Sequence, residues 1–230
     1  MTVRVTRRQF LECSAAVAVP LRWRLGRGFS PVLGAKEQRV LDLGPHCSLR
    51  DSLAGYAAAM EGRAQETDVS SLAPCAVLIV PAAVEIPPAA VRAITASLEA
   101  GGLVILESGA GFASARDRSR HRAVLHDAFQ VRIESPVDLW PEANGSAIPY
   151  VDYSWPVAAK VRDFSRVVPL ARGAGEIIAR VNGLPVALRL RCGRGTLIVL
   201  GSPLGPALWA GDAQARLWLR AVVKATAGLG

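Results

Sequence analysis

Long apolar runs are missing from this chain. None reaches the roughly 18 residues that a helical membrane span requires, so no stable membrane span is predicted. Cysteine is sparse. Cys13, Cys47, Cys75 and Cys192 form no CxxC pair and no metal-ligand spacing, which excludes a disulfide framework and a cysteine-based metal site. Histidine occurs three times, at 46, 121 and 126, so any imidazole chemistry rests on those residues. No cofactor-binding fingerprint and no metal cluster is read from the sequence. Acidic residues are also short, with 19 against 27 Lys and Arg, giving a net charge of +8. The excess is local. Residues 1–35 hold six arginines and a single acid, Glu12, so they carry +5, and the remaining chain carries only +3. The densest basic run left, residues 116–122 (RDRSRHR), reads as a solvated helix face, and no nucleic-acid partner is expected.

What is present begins with an address. The stretch TRRQFLECSAAVAVPL runs from arginines into a short apolar segment, the order of an export signal. Thr6-Arg7-Arg8-Gln9-Phe10-Leu11 resembles the twin-arginine translocation consensus, with Arg7, Arg8, Phe10 and Leu11 as its signal residues. The resemblance implies recognition by the twin-arginine translocation machinery and a location in the periplasm or cell envelope. The chain then divides into a signal, residues 1–35, and a folded domain, residues 36–230.

Within the domain, short apolar strands alternate with amphipathic helices. Strands are predicted at Arg39–Leu43, Ala76–Val80 and Leu103–Leu106. One helix carries Leu49, Leu53, Tyr56, Ala57 and Met60 on a single stripe, with Ser48 as its N-cap. Another starts at Pro87-Pro88 and stops at Gly101-Gly102, and a third spans Arg116–Phe129. A meander follows: Glu176–Val181, the turn Asn182-Gly183, Val186–Arg191 and Thr196–Leu200. A last helix is capped by Asp212, carries Leu217, and has Trp209 nearby as a core anchor. The pattern predicts an α/β three-layer sandwich with a mostly parallel sheet and antiparallel strands added near the C-terminus. Ligands of such sheets sit at the carboxyl ends of the strands. Here those ends supply Pro81 and Ala82, then Glu107, Ser108, Gly109, Ala110 and Gly111, then Ser202, which together form the predicted ligand-binding loops.

Two segments carry a family resemblance: AVLIVPAAVEIPPAAVRAITASLEAGGLVILESGAGF and GRGTLIVLGSPLGPALWAGDAQARLWLRAV. They resemble the strand, helix, Gly-Gly, strand, elbow succession and the closing strand and helix of class I glutamine amidotransferase-like domains, a flavodoxin-like architecture. The resemblance extends to noncatalytic relatives found as accessory domains. It implies a nucleophile in the middle of the elbow, where this chain has Gly109, and a histidine after the closing strand, where it has Leu200-Gly201-Ser202-Pro203. The expected protein is therefore an exported pseudoenzyme that binds a small ligand, a carbohydrate or an envelope protein. A serine hydrolase built on Ser108 with Glu107 and a histidine is the second reading. An assembly module forming a homo-oligomer is the third. Trp140, Tyr150, Tyr153 and Trp155, mixed with Asp138, Glu142 and Asp152, form a further candidate surface for sugar rings.

Overall fold

The computed structural model describes residues 37–60, 64–139, 149–163, 166–171 and 175–227. The export signal, Trp140 and Glu142 lie outside the described residues. In chain order the elements are β1 (Gln38–Leu41), α1 (Arg50–Ala59), β2 (Ala64–Thr67), β3 (Val77–Ala83), α2 (Pro88–Glu99), β4 (Leu103–Ser108) and α3 (Ala115–Phe129). Then come β5 (Val137–Asp138), β6 (Tyr150–Tyr153), β7 (Ala159–Arg162), β8 (Arg166–Val167), β9 (Glu176–Val181), β10 (Leu184–Cys192), β11 (Gly195–Leu200), α4 (Gly205–Trp209) and α5 (Ala213–Ala227).

Nine strands form one sheet in the order β2-β1-β3-β4-β11-β10-β9-β6-β7, and β5 pairs with β8 separately. The five strands from β2 to β11 run parallel. The four added beyond β11 pair antiparallel. The fold is thus mixed α/β with a large, mostly parallel sheet. Strands β3, β4 and β11 are buried along their whole length, as parallel strands covered on both faces must be.

Alternation along these strands sends neighbouring side chains to opposite faces. Val77, Ile79, Ile105 and Ile198 pack under Tyr56 of α1, Leu208 of α4 and Trp218 of α5. Leu78, Val80, Val104 and Val199 pack under Ile94 and Leu98 of α2 and Leu125 and Phe129 of α3. Helices therefore cover both faces, and the carboxyl ends of β3, β4 and β11 meet at one edge.

Several expectations need correction. Ser48 does not cap α1. Leu49 is the N-cap residue, without a side-chain bond, and Ser48 is used elsewhere. Strand β2 has the polar sequence AQET and lies at the sheet edge, so no hydrophobic pattern announces it. Asp212 does cap α5, accepting from Gln214 N and Ala215 N at 2.8 and 2.9 Å. Trp209 is no core anchor. It is among the exposed large apolar side chains, as is Leu217, and Trp218 fills the core instead.

Candidate functional site

The carboxyl edge is built from three strand ends and three pieces of chain laid across them. At β3 the backbone turns at Ala82, whose φ of 38° is a left-handed conformation that alanine adopts at a cost. It is held there because Ala82 O accepts from Ser48 N at 2.9 Å and from Ser48 Oγ at 3.2 Å. Val84 N donates to His46 O at 2.8 Å, so residues 46–48 run along the end of β3. At β11, Val168 N donates to Gly201 O at 2.7 Å, which lays residues 166–171 over that strand end. At β4, the start of α4 closes in through Glu107.

Gly109 occupies the middle of the elbow. A Cβ there would stand 2.2 Å from Ala82 O and 2.4 Å from Ser48 Oγ. The backbone of β3 already fills the space a nucleophilic side chain would need. Gly201 is closed in the same way, 1.9 Å from Val168 O, and a Cβ on Gly205 would come within 2.3 Å of Ser52 Cα. These glycines permit backbone-to-backbone contact, and that contact seals the edge.

Glu107 is fully buried. Ser52 Oγ and Tyr56 OH donate to it at 2.7 and 2.8 Å, and Leu204 N and Gly205 N at 3.2 and 3.1 Å. Burial raises its pKa, and the donated hydrogen bonds pull it back. The carboxyl ties β4 to α1 and α4. Ser108, the next residue on the strand, points to the opposite face. Its Oγ lies 3.0 Å from Nε2 of His121 on α3, and Ala110 N approaches the same Oγ at 3.4 Å. His121 Nδ1 has no hydrogen-bond partner among the described residues, and burial lowers the imidazole pKa to about 4. Ser202 Oγ donates to Asp163 at 2.5 Å, with both side chains buried.

The structure thus brings Ser108 and His121 together but sends Glu107 to the other side of the sheet. Pro81, Ala82, Glu107, Ser108, Gly109, Ala110, Gly111 and Ser202 are all buried, and the polar side chains among them bond to other parts of the protein. His46 and His126 lie apart, against Glu85 and Asp127. Among the described cysteines, Cys75 is buried and its thiol is pushed up to about 11, chiefly by burial. No group of metal-ligating side chains occurs among the described residues. The partners Ser52, Tyr56 and Asp163 carried no signal in the sequence, because each reaches its carboxylate or hydroxyl from a distant element.

The aromatic residues divide. Tyr153 is buried against Trp218 with ring centroids 4.3 Å apart, and Trp218 Nε1 donates to Trp155 O at 2.7 Å. Arg189 stacks over the Trp155 ring at 4.3 Å. Tyr150 alone of the three described is among the exposed large side chains. Asp152, Lys160 and Arg162 surround it on β6 and β7. Arg162 donates to Tyr150 OH at 3.1 Å, and Lys160 pairs with Asp152 at 3.2 Å. Asp138 is drawn away, 3.6 Å from Arg166.

No protein-family model matches the chain, and no curated protein does. In fold it is similar to a β-galactosidase from Bacillus circulans sp. alkalophilus, at 14% identity and a TM-score of 0.56, over 81% of this chain and 31% of that one. It is likewise similar to α-L-fucosidase isoenzyme 2 from Paenibacillus thiaminolyticus, at 12% identity and 0.59, over 84% of this chain and 33% of that one. A cytoplasmic protein from Salmonella typhimurium LT2 matches at 13% identity and 0.56, over 76% of this chain and 86% of that one. The chain therefore spans about a third of the length of these glycosidases.

These comparisons correct the glutamine amidotransferase-like assignment and the functions drawn from it, the noncatalytic amidotransferase-like binder and its alternatives. Two of these three similar proteins, the β-galactosidase and the α-L-fucosidase, are glycosidases, matched over part of their length. The motifs behind the earlier resemblance are packing motifs. Gly102, for example, is required because a Cβ there would stand 2.5 Å from Cys75 O. The serine-hydrolase alternative also loses its third group, since Glu107 and Ser108 face opposite sides of β4.

Proposed function

We propose that the chain is a carbohydrate-binding module that works through the outer face of β6 and β7, not through the carboxyl edge of its parallel strands. The observation that carries this reading is the Tyr150 ring, which reaches the surface with the Arg162 guanidinium over it and Asp152 and Lys160 on the same strand face. An aromatic ring can cover the apolar face of a sugar, while Asp152, Lys160 and Arg162 exchange hydrogen bonds with its hydroxyls. Similarity in fold to glycosidases supports a carbohydrate as the ligand class. The sealed edge supports a role in binding rather than bond cleavage. We read the parallel half, whose order is β2-β1-β3-β4-β11, as a doubly wound, flavodoxin-like unit that serves as a scaffold. Export by the twin-arginine route, carried by Arg7 and Arg8, belongs to the same proposal and would bring the module to extracytoplasmic glycans.

The test is affinity electrophoresis of the full chain through gels containing plant and bacterial polysaccharides. At least one should retard the wild-type protein, and Tyr150→Ala should restore free mobility with an unchanged circular dichroism spectrum. Equal mobility of the two proteins in every gel would overturn the reading.

A further inference from the structure

Helix α5 has two faces of different character. Ala215, Trp218, Leu219 and Val222 are buried in the core. Ala213, Leu217, Arg220 and Lys224, at i, i+4, i+7 and i+11, form the opposite stripe, and all four are exposed. A leucine in the middle of an outward stripe is unusual. Leu217 is 46% exposed, and Trp209, at the end of α4, is 57% exposed. They are the two most exposed of the large apolar side chains among the described residues. The residues between the helices, Ala210 and Gly211, are small and exposed, so they leave the indole open to a flat surface.

The same helix carries three cations, Arg216, Arg220 and Lys224, and no acid. Asp212, the acid just before it, turns Oδ1 to the amides of Gln214 and Ala215. Arg216 is half-buried, and its Nε is enclosed without a hydrogen-bond partner among the described residues. Its Nη2 reaches the loop that follows Trp209, where a Cβ on Gly211 would stand 3.7 Å from it. An enclosed donor left unsatisfied costs about 1–3 kcal/mol, and a guanidinium is well matched to a phosphate. The loop between α4 and α5 therefore gathers an open indole, an open leucine and a guanidinium with an unused donor.

From this combination we infer that the end of α4 and the outer stripe of α5 seat the protein on an anionic phospholipid membrane. Trp209 and Leu217 enter the boundary between headgroups and acyl chains, and Arg216 bonds a lipid phosphate. Aromatic and aliphatic side chains gain from that boundary, and cations beside them gain from anionic lipid. Lys224 lies about 10 Å beyond Leu217 on the same stripe, so α5 lies along the surface. A free phosphate ion would engage Arg216 and leave both apolar side chains in water. The inference does not depend on the sugar-binding reading, but the two agree. Val151, Tyr153, Ala159 and Val161 face the cluster that holds Trp218 of α5, so Tyr150 and Lys160 point away from the membrane-bound side.

The experiment uses the full chain and vesicles with brominated acyl chains, made of phosphatidylcholine alone or mixed with phosphatidylglycerol. Bromine quenches only indoles that enter the bilayer. Residues 1–35 are cationic and attract anionic vesicles as well, so the readout is confined to Trp209: the quenching seen in the wild type and missing in Trp209→Phe. That component is expected with the phosphatidylglycerol vesicles and should be far weaker with phosphatidylcholine alone. Arg216→Gln and Leu217→Ser, with unchanged circular dichroism spectra, should each need about fivefold more lipid. Equal fractional quenching of wild type and Trp209→Phe would overturn the inference. So would a Trp209 component that is the same in both lipids and untouched by Arg216→Gln. A dimer in sedimentation that Trp209→Ala converts to monomer, without quenching of Trp209, would assign the face to a second copy of the chain and overturn it too.

Discussion

Ser108 Oγ and His121 Nε2 lie 3.0 Å apart, both enclosed in the protein, on the face of β4 opposite to the Glu107 carboxyl. A serine and an imidazole at this distance resemble the start of a nucleophilic site. Here the pair is a packing contact between a strand end and α3, and its consequence is for stability.

That consequence depends on pH. Burial lowers the His121 pKa in the folded chain to about 4, below the unfolded value near 6.5. The unfolded chain therefore binds more protons between those values, so stability rises with pH across the window. It is complete above about pH 6.5 and falls as the pH drops toward 4, by about 3 kcal/mol from this group. Glu107, whose folded pKa is raised, acts in the opposite sense. The comparison is therefore between wild type and His121→Gln, by urea unfolding from pH 7.5 to 4.5. The wild type should lose stability more steeply than the variant. Parallel pH profiles would show that His121 is not held neutral.

Gly109 supplies a second test. Gly109→Ala forces a Cβ into the Ala82 carbonyl, and the β3 turn has no slack because Ser48 holds it twice. A loss of about 3 kcal/mol or more is expected, at the severe end for single substitutions. Gly183→Ala is the control. It has a φ of 82° but nothing within 4 Å of the added methyl, so it should cost only about 1–2 kcal/mol of backbone strain. If the two variants unfold at the same urea concentration, the edge is less tightly sealed than the geometry states.

The buried carboxyl of Glu107 is the third. Two of its four donors are backbone N–H groups, which cannot reverse roles. Glu107→Gln would turn an amide N–H toward one set of donors and cost about 1–3 kcal/mol. Tyr56→Phe removes one hydroxyl donor and should cost about 1 kcal/mol. Because the residues are in contact, the double variant should destabilise by less than the sum. Strict additivity in a thermal or urea double-mutant cycle would refute the coupling.

Much of the fold is legible in the chain because burial of parallel strands on both faces leaves continuous apolar runs. AVLIV and LVIL announce β3 and β4, and Asn182-Gly183 announces the turn between β9 and β10, although β3 runs on through Pro81 and Ala82, which the sequence pattern gives to the loop. The site is legible only in its glycine. Gly109 excludes a side-chain nucleophile on sight, but the reason, a carbonyl 2.2 Å away, belongs to Ala82, 27 residues earlier. Family membership was misread because Gly-Gly stops and Gly-rich elbows report close packing of strands and helices, and that demand is common to many sheets.

The sequence by itself determined the alternation of strands and helices, the Asp212 cap and the charge division between the first 35 residues and the rest, since each depends on neighbours in the chain. Tertiary structure decided the others. It chose Trp218 over Trp209 for the core, sent Glu107 and Ser108 to opposite faces, and closed the carboxyl edge with residues 46–48 and 166–171. It also placed Tyr150 and Arg162 opposite each other on β6 and β7. Contacts between residues far apart in sequence are set by register and packing, and a local pattern does not carry that information.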